Sequence, residues 1–338
     1  MPAKRVTLAD IASHLGVNKS TVSRALQNDP SVNPGTVDKV RAMAAALGYV
    51  PDPALSALSQ ERWRREDRQC SLNWAYLCEQ PDSVNKREEL VLLGSLAGKL
   101  GYSITPVGLR QQGGARTINR ILRARGVCGV LLDRVYDTAL AHRFDWDHLD
   151  WPAYSWVAAI ESRYAPAVHR VINNSFDTTR EAFARMVNHG YKRIGFIQEA
   201  PDLSRENERQ QAAFLQYKEM HPTISMVQAF VGERIASMAT ADIDRLRSAR
   251  PTAILYGYTA IRDRLPHDLA ALPWATLTSQ ADDKSVAGIH MSMEAMFRAA
   301  VDLLDFQYRR RERGLPQHRH TLLVDAIWQD GESLPRLG

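Results

Sequence analysis

The chain has 338 residues, 45% of them hydrophobic, with 43 lysines and arginines against 38 acidic residues. That is a soluble globular balance with room for more than one core. No apolar run reaches the about 18 residues of a bilayer span, and the start Met1-Pro2-Ala3-Lys4-Arg5-Val6 lacks the apolar stretch of a signal peptide, so no membrane partner and a cytoplasmic location are expected. The net charge of +5 permits nucleic-acid binding without establishing it. The cysteines Cys70, Cys78 and Cys128 fall at spacings that fit no metal or redox motif and read as small apolar residues.

Residues 7–48 read as three short helices. Thr7 suits an N-cap with Asp10 three positions on. Leu8, Ile11, Ala12 and Leu15 then form one apolar stripe, and Gly16 ends the helix. Asn18 opens a second helix, Lys19 to Leu26, and a third follows Asn33-Pro34, with Val37, Val40, Ala44 and Leu47 inward and Gly48 as its stop. On the second helix Val22, Ala25 and Leu26 face the other two. At about 100° per residue, Ser20 and Arg24 then lie opposite, with Lys19 at the N-terminal edge. Spacing alone leaves two readings open, a major-groove reader or the solvated face of a small helical domain.

The run from Val6 to Pro53, VTLADIASHLGVNKSTVSRALQNDPSVNPGTVDKVRAMAAALGYVPDP, resembles the DNA-binding segment of the lactose/galactose repressor (LacI) family. The resemblance implies that Lys19, Ser20 and Arg24 read bases and that Thr7, Thr21, Asn33 and Thr36 hold phosphates. The short segment after it, Asp52 to Leu58, has a cap and a proline at the first helical position but is too short to be helical alone. By the resemblance, two such hinge helices pair in the DNA minor groove and Leu58 wedges between bases. The plain alternative is a linker helix tucked onto the neighbouring domain. Glu61 to Arg68 is a mixed-charge connector.

From Ser71 onward, apolar strands alternate with amphipathic helices. The expected strands are 72–77, 104–109, 127–132, 153–158, 168–172, 193–197, 224–229, 252–256 and 274–278. The expected helices are 90–100, 118–125, 178–189, 208–220 and 293–311. This alternation predicts parallel sheets covered by helices, with too many units for one sheet. The resemblance continues through VNHGYKRIGFI, RPTAILY and the stretch from Ala287 to Leu334. It implies an α/β core of two Rossmann-like subdomains resembling periplasmic binding proteins, with chain crossings near Val168, Ser292 and Leu322. The expected domains are therefore 1–50 (all-α helix-turn-helix), 51–69 (hinge helix and linker) and 70–338 (regulatory core). Within the core, one subdomain takes 70–167 with 292–321 and the other 168–291 with 322–338.

No phosphate loop, nucleophile elbow or cofactor motif occurs, so enzymatic activity and a cofactor are not expected. His318 and His320 flank Arg319 on an expected strand but have no third metal ligand nearby in sequence. Gly113-Gly114 reads as a strand-to-helix turn. Carrying the family's effector site over by resemblance gives Asp133 at the end of the third strand and Gln210 at an arginine position, with Arg209 beside it. Tyr258 and Thr259 replace an Asn-Asp pair, and Met291 replaces a glutamine. The expected protein is a repressor-type regulator, a homodimer rather than a tetramer, binding a palindromic DNA operator and a small effector that is not a simple hexose. The alternative is a degenerate, ligand-free core acting as a fixed repressor or docking platform.

Overall fold

The computed structural model describes residues 6–26, 32–49, 72–135, 137–160, 166–200, 204–232, 238–280 and 283–337. The segment 51–69, with the expected hinge helix and Leu58, lies outside the described residues, as does Cys70.

Three helices form the N-terminal unit: α1 (Leu8–Leu15), α2 (Lys19–Leu26) and α3 (Pro34–Ala46). Thr7 caps α1 in a reciprocal box. Its backbone N–H donates to Asp10 Oδ2 at 2.7 Å, and its hydroxyl accepts from the Asp10 N–H at 3.4 Å. Gly16 takes the left-handed conformation, φ 64°, that closes α1 and starts the tight turn. Asn33 caps α3 through its side chain, accepting from Gly35 N–H at 2.9 Å, with Pro34 at the first helical position. Ile11, Ala12, Val22, Ala25, Val40 and Ala44 are buried together.

The rest of the described chain builds two sheets. The first uses β1 (Leu72–Cys78), α4 (Val84–Lys99), β2 (Tyr102–Gly108), α5 (Gly114–Ala124), β3 (Val127–Leu132), α6 (Thr138–Arg143), β4 (Ser155–Ala158) and β5 (His169–Asn173). The second uses α7 (Ser175–Asn188), β6 (Arg193–Glu199), α8 (Arg205–Met220), β7 (Ser225–Val231), α9 (Thr240–Ala249), β8 (Ala253–Tyr256), α10 (His267–Ala270), β9 (Trp274–Ser279) and β10 (Gly288–His290). The chain then returns through α11 (Met293–Arg310) and β11 (Thr321–Val324) to the first sheet and ends its strands with β12 (Ile327–Gln329) in the second. The strand orders are β11-β5-β4-β3-β1-β2 and β12-β10-β9-β8-β6-β7. Every pairing in the first is parallel, and in the second only β10 with β12 runs antiparallel. Each sheet is buried on both faces, as parallel sheets require. Two Rossmann-like subdomains result.

Some features differ from the sequence expectation. β5 and β11 both belong to the first sheet, so the chain passes between sheets after Asn173 and after Val324, a few residues later than Val168 and Leu322. His318 and His320 are not on a strand: they precede β11, in a stretch that contains Gly314 at φ 80° and Pro316. The fourth strand starts at Ser155 rather than Ala153, because Trp151–Ala153, with Pro152, forms a single tight 3-10 turn.

Candidate DNA-binding face and effector cleft

On α2, burial of Val22 and Ala25 against α1 and α3 fixes the helix about its own axis. Lys19, Ser20 and Arg24 are left exposed, and Thr21 half-buried. The helix starts where the Asn18 carbonyl accepts from Thr21 N–H at 2.9 Å and Val22 N–H at 3.1 Å. A short helix docked on two others by its apolar side therefore presents two cations and a hydroxyl outward. Thr7, Asn33 and Thr36 cluster at the first turns of α1 and α3, where backbone N–H groups and the helix dipole favour phosphate. The Thr7 hydroxyl and the Asn33 side chain are already engaged in capping, so they orient these helix ends.

The second site lies at the carboxyl ends of the strands, where open parallel sheets bind ligands. On the first subdomain, Asp133 follows β3 and is 1% exposed. Lys86 Nζ sits 2.7 Å from Asp133 Oδ2 and 2.6 Å from Glu89 Oε2, and Tyr76 donates to Glu89 Oε2 at 2.8 Å. Burial pushes the Asp133 carboxyl above its usual range while Lys86 pulls it back. Burial alone would lower the Lys86 ammonium, but Asp133 and Glu89 reverse this and hold it charged. The neighbouring Cys78 thiol is pushed up to about 12 by burial and by Asp133, so it stays protonated. Lys86, Asp133, Glu79, Ser83 and Arg134 line a cavity of about 220 Å³. A larger groove of about 670 Å³, lined by Arg110, Arg116, Phe144 and His148, lies beyond the edge strand β2 and contains none of the expected effector residues.

On the second subdomain, Arg209 and Gln210 stand on α8. Burial lowers the Arg209 guanidinium, with Glu206 and Glu208 opposing. Gln210 is 4% exposed and its Oε1 has no protein partner. Tyr258 packs beside the cluster of Ile197 and Tyr256 on the opposite face of the sheet. The Thr259 hydroxyl donates to Thr276 Oγ1 at 3.3 Å. Met291 packs with the Phe214 and Leu277 cluster. Asp133 thus stands on one subdomain and the other five on the other. What joins the two walls is Arg134 Nη2, 2.7 Å from Glu206 Oε2, with side chains 18% and 11% exposed.

Residues 7–52 match the family model described as bacterial regulatory proteins, lacI family. The N-terminal segment is a lacI-family helix-turn-helix domain. It is 40% identical over 58 residues to the maltose regulon regulatory protein MalI of Vibrio furnissii, a match spanning 17% of this chain and 42% of that protein. The chain therefore spans less than half the length of that curated relative. Over the whole length, the fold matches the lac repressor dimer bound to operator and the anti-inducer ONPF, with TM-score 0.55 and 18% identity over 98% of this chain and 100% of that one. It also matches a periplasmic binding protein/LacI transcriptional regulator from Alkaliphilus metalliredigens complexed with D-xylulofuranose, with TM-score 0.54 and 11% identity over 78% and 99%. At these identities the likeness carries the fold: a lacI-type helix-turn-helix followed by a periplasmic-binding-protein-like core.

Sequence reasoning missed Lys86, Arg134, Glu206, Asn207 and Gln198. Lys86 left one signal, a cation in the first turn of a helix, where the dipole disfavours it. Gln198 left another, a polar residue directly after the apolar run Ile194 to Ile197 and still within the strand. The pairing of Arg134 with Glu206 joins positions on different subdomains and left no local trace.

Proposed function

We propose that the chain is a sequence-specific DNA-binding transcription regulator of the repressor type, whose core binds a small effector that changes operator affinity. The observation that carries this is α2, with Ser20 and Arg24 exposed on the face opposite its buried seam and Lys19 exposed at its N-terminal edge. Thr7, Thr21, Asn33 and Thr36 supply the phosphate side, and Leu58 the minor-groove wedge. One short helix gives a small footprint, so two copies related by two-fold symmetry reading a palindromic operator are the natural assembly. The same reading takes 1–50 as the DNA-binding domain, 51–69 as hinge and linker and 70–338 as the regulatory core. It places the protein in the cytoplasm with its operator. Among the described residues no helix is long and apolar enough to cross a membrane.

In the core, Asp133, Arg209, Gln210, Tyr258, Thr259 and Met291 are the effector candidates. A hexose buries several hydroxyls, each costing about 1–3 kcal/mol if left unpaired. Relative to the family positions they occupy, Gln210, Tyr258, Thr259 and Met291 lose two formal charges and gain apolar bulk, leaving fewer partners for those hydroxyls, so a simple hexose is disfavoured. The bridge from Arg134 to Glu206 favours a second reading, a ligand-free core held shut as a fixed repressor. Selection of bound duplexes from a random library tests the first claim. Recovery of a two-fold symmetric sequence supports it, and recovery of no consensus overturns it.

A further inference from the structure

The second subdomain carries a buried layer of polar side chains at the carboxyl end of its sheet. Because side chains alternate along a strand, Gln198 shares a face with Phe196, and Ser279 shares it with Leu277. Those two apolar residues lie in one core cluster with Phe214 of α8. Gln210 and Asn207 precede Phe214 by one and two turns on the same side of α8. Gln198, Asn207, Gln210 and Ser279 therefore top that core, at 0%, 0%, 4% and 8% exposure. Gly257, directly after the intervening strand β8, leaves room for them, since a Cβ there would meet the Gln198 Cβ at 3.1 Å.

Each of the four has a buried oxygen with no protein partner: Gln198 Oε1, Asn207 Oδ1, Gln210 Oε1 and Ser279 Oγ. Two of the amides are fixed in orientation. Gln198 Nε2 donates to the Asn207 carbonyl at 3.3 Å, and Asn207 Nδ2 donates to the Ala200 carbonyl at 3.2 Å. Their carbonyl oxygens are therefore the groups left over. Buried acceptors in such numbers call for donors. The Gln210 edge of the layer lies toward the other subdomain, since Glu206, one turn before Gln210 on α8, reaches Arg134 across the cleft.

We infer that this layer is the specificity half of the effector site and takes a neutral amide-type molecule, such as a lactam or ureide, with several N–H donors. The inference rests on the reading of the core as effector-binding. An anion is disfavoured because the layer offers carbonyl oxygens. A cation is disfavoured because Arg134 and Arg209 stand beside it, and Arg170, held down to about 10 by burial and by Arg319, Arg209 and Arg205, belongs to the same positive field. A neutral ligand with N–H groups on one edge and carbonyls on the other satisfies both walls.

The test is a thermal-shift screen of the full chain at millimolar probe. It uses uracil, hydantoin and allantoin against glucose, citrate and putrescine, with operator binding measured in parallel by anisotropy. The expected result is a rise in Tm of several degrees with at least one neutral amide. That rise should be lost in Gln210→Leu and in Gln198→Leu, each of which removes an orphaned oxygen, with the probe-free Tm and operator binding of each variant showing that it is folded. A response confined to glucose, citrate or putrescine, or no response in any class, overturns the inference. Retained operator binding in that case leaves the regulator reading standing, and its loss overturns the regulator reading separately.

Discussion

Lys86 and Asp133 form a buried ion pair whose members depend on each other. Replacing Lys86 with Met leaves an uncompensated buried carboxylate and should cost about 3–5 kcal/mol, whereas exchanging both partners for apolar residues should recover most of that loss. Urea titrations of Lys86→Met and of Lys86→Met/Asp133→Leu check this, and equal losses in the two would show that the pair is not the source. His169, on β5, makes a pH-dependent contribution. Its Nδ1 accepts from His320 N–H at 3.0 Å, a bond that needs the ring neutral. Burial, with the facing His320 adding to it and Glu312 opposing, holds the imidazole below its ordinary value. A depressed folded pKa means that this contribution is whole above the unfolded value of about 6.5 and drains away as pH falls below it. Unfolding midpoints at pH 7.5 and 5.5 should therefore diverge more in the natural protein than in His169→Gln. Identical pH responses would remove His169 from the account.

Among the elements, α1 rests on its capping box. Asp10→Ala removes the reciprocal half while leaving the Thr7 hydroxyl in place, so a loss of about 0.5–2 kcal/mol in helix-turn-helix stability is expected. Hydrogen exchange of α1 amides reads it directly, and unchanged protection would show that packing alone holds the helix. The same local logic made α1, α2, α3 and most strands legible, because caps, glycine stops and apolar periodicity act within one turn or one strand. β10, β11 and β12 were not expected. They have only 3 or 4 residues each, and the apolar stretches they hold, such as Leu322, Leu323 and Val324, are too short to mark a strand. In the cleft, legibility fell further. Asp133 was named from the family resemblance, at the end of an expected strand, whereas the Gln198 layer and the contact between Arg134 and Glu206 exist only once strands far apart in sequence lie side by side.

At the scale of the whole molecule, two subdomains tied by the Arg134–Glu206 bridge accompany one short helix, α2, proposed to read DNA. Such a unit reads a specific site well only when duplicated. Sedimentation at micromolar concentration should give a dimer, and a pure monomer or a stable tetramer would contradict the proposed assembly. The central claim is that α2 reads base sequence, and the direct measurement is a fluorescence-anisotropy titration of the natural protein and Arg24→Ala. Both are titrated on the library-selected duplex and on a scrambled duplex at one fixed salt concentration. The account predicts a loss of about 1–3 kcal/mol for Arg24→Ala on the selected duplex and a much smaller loss on the scrambled one. Equal losses on the two would contradict it, leaving Arg24 a phosphate contact and α2 without a reading role.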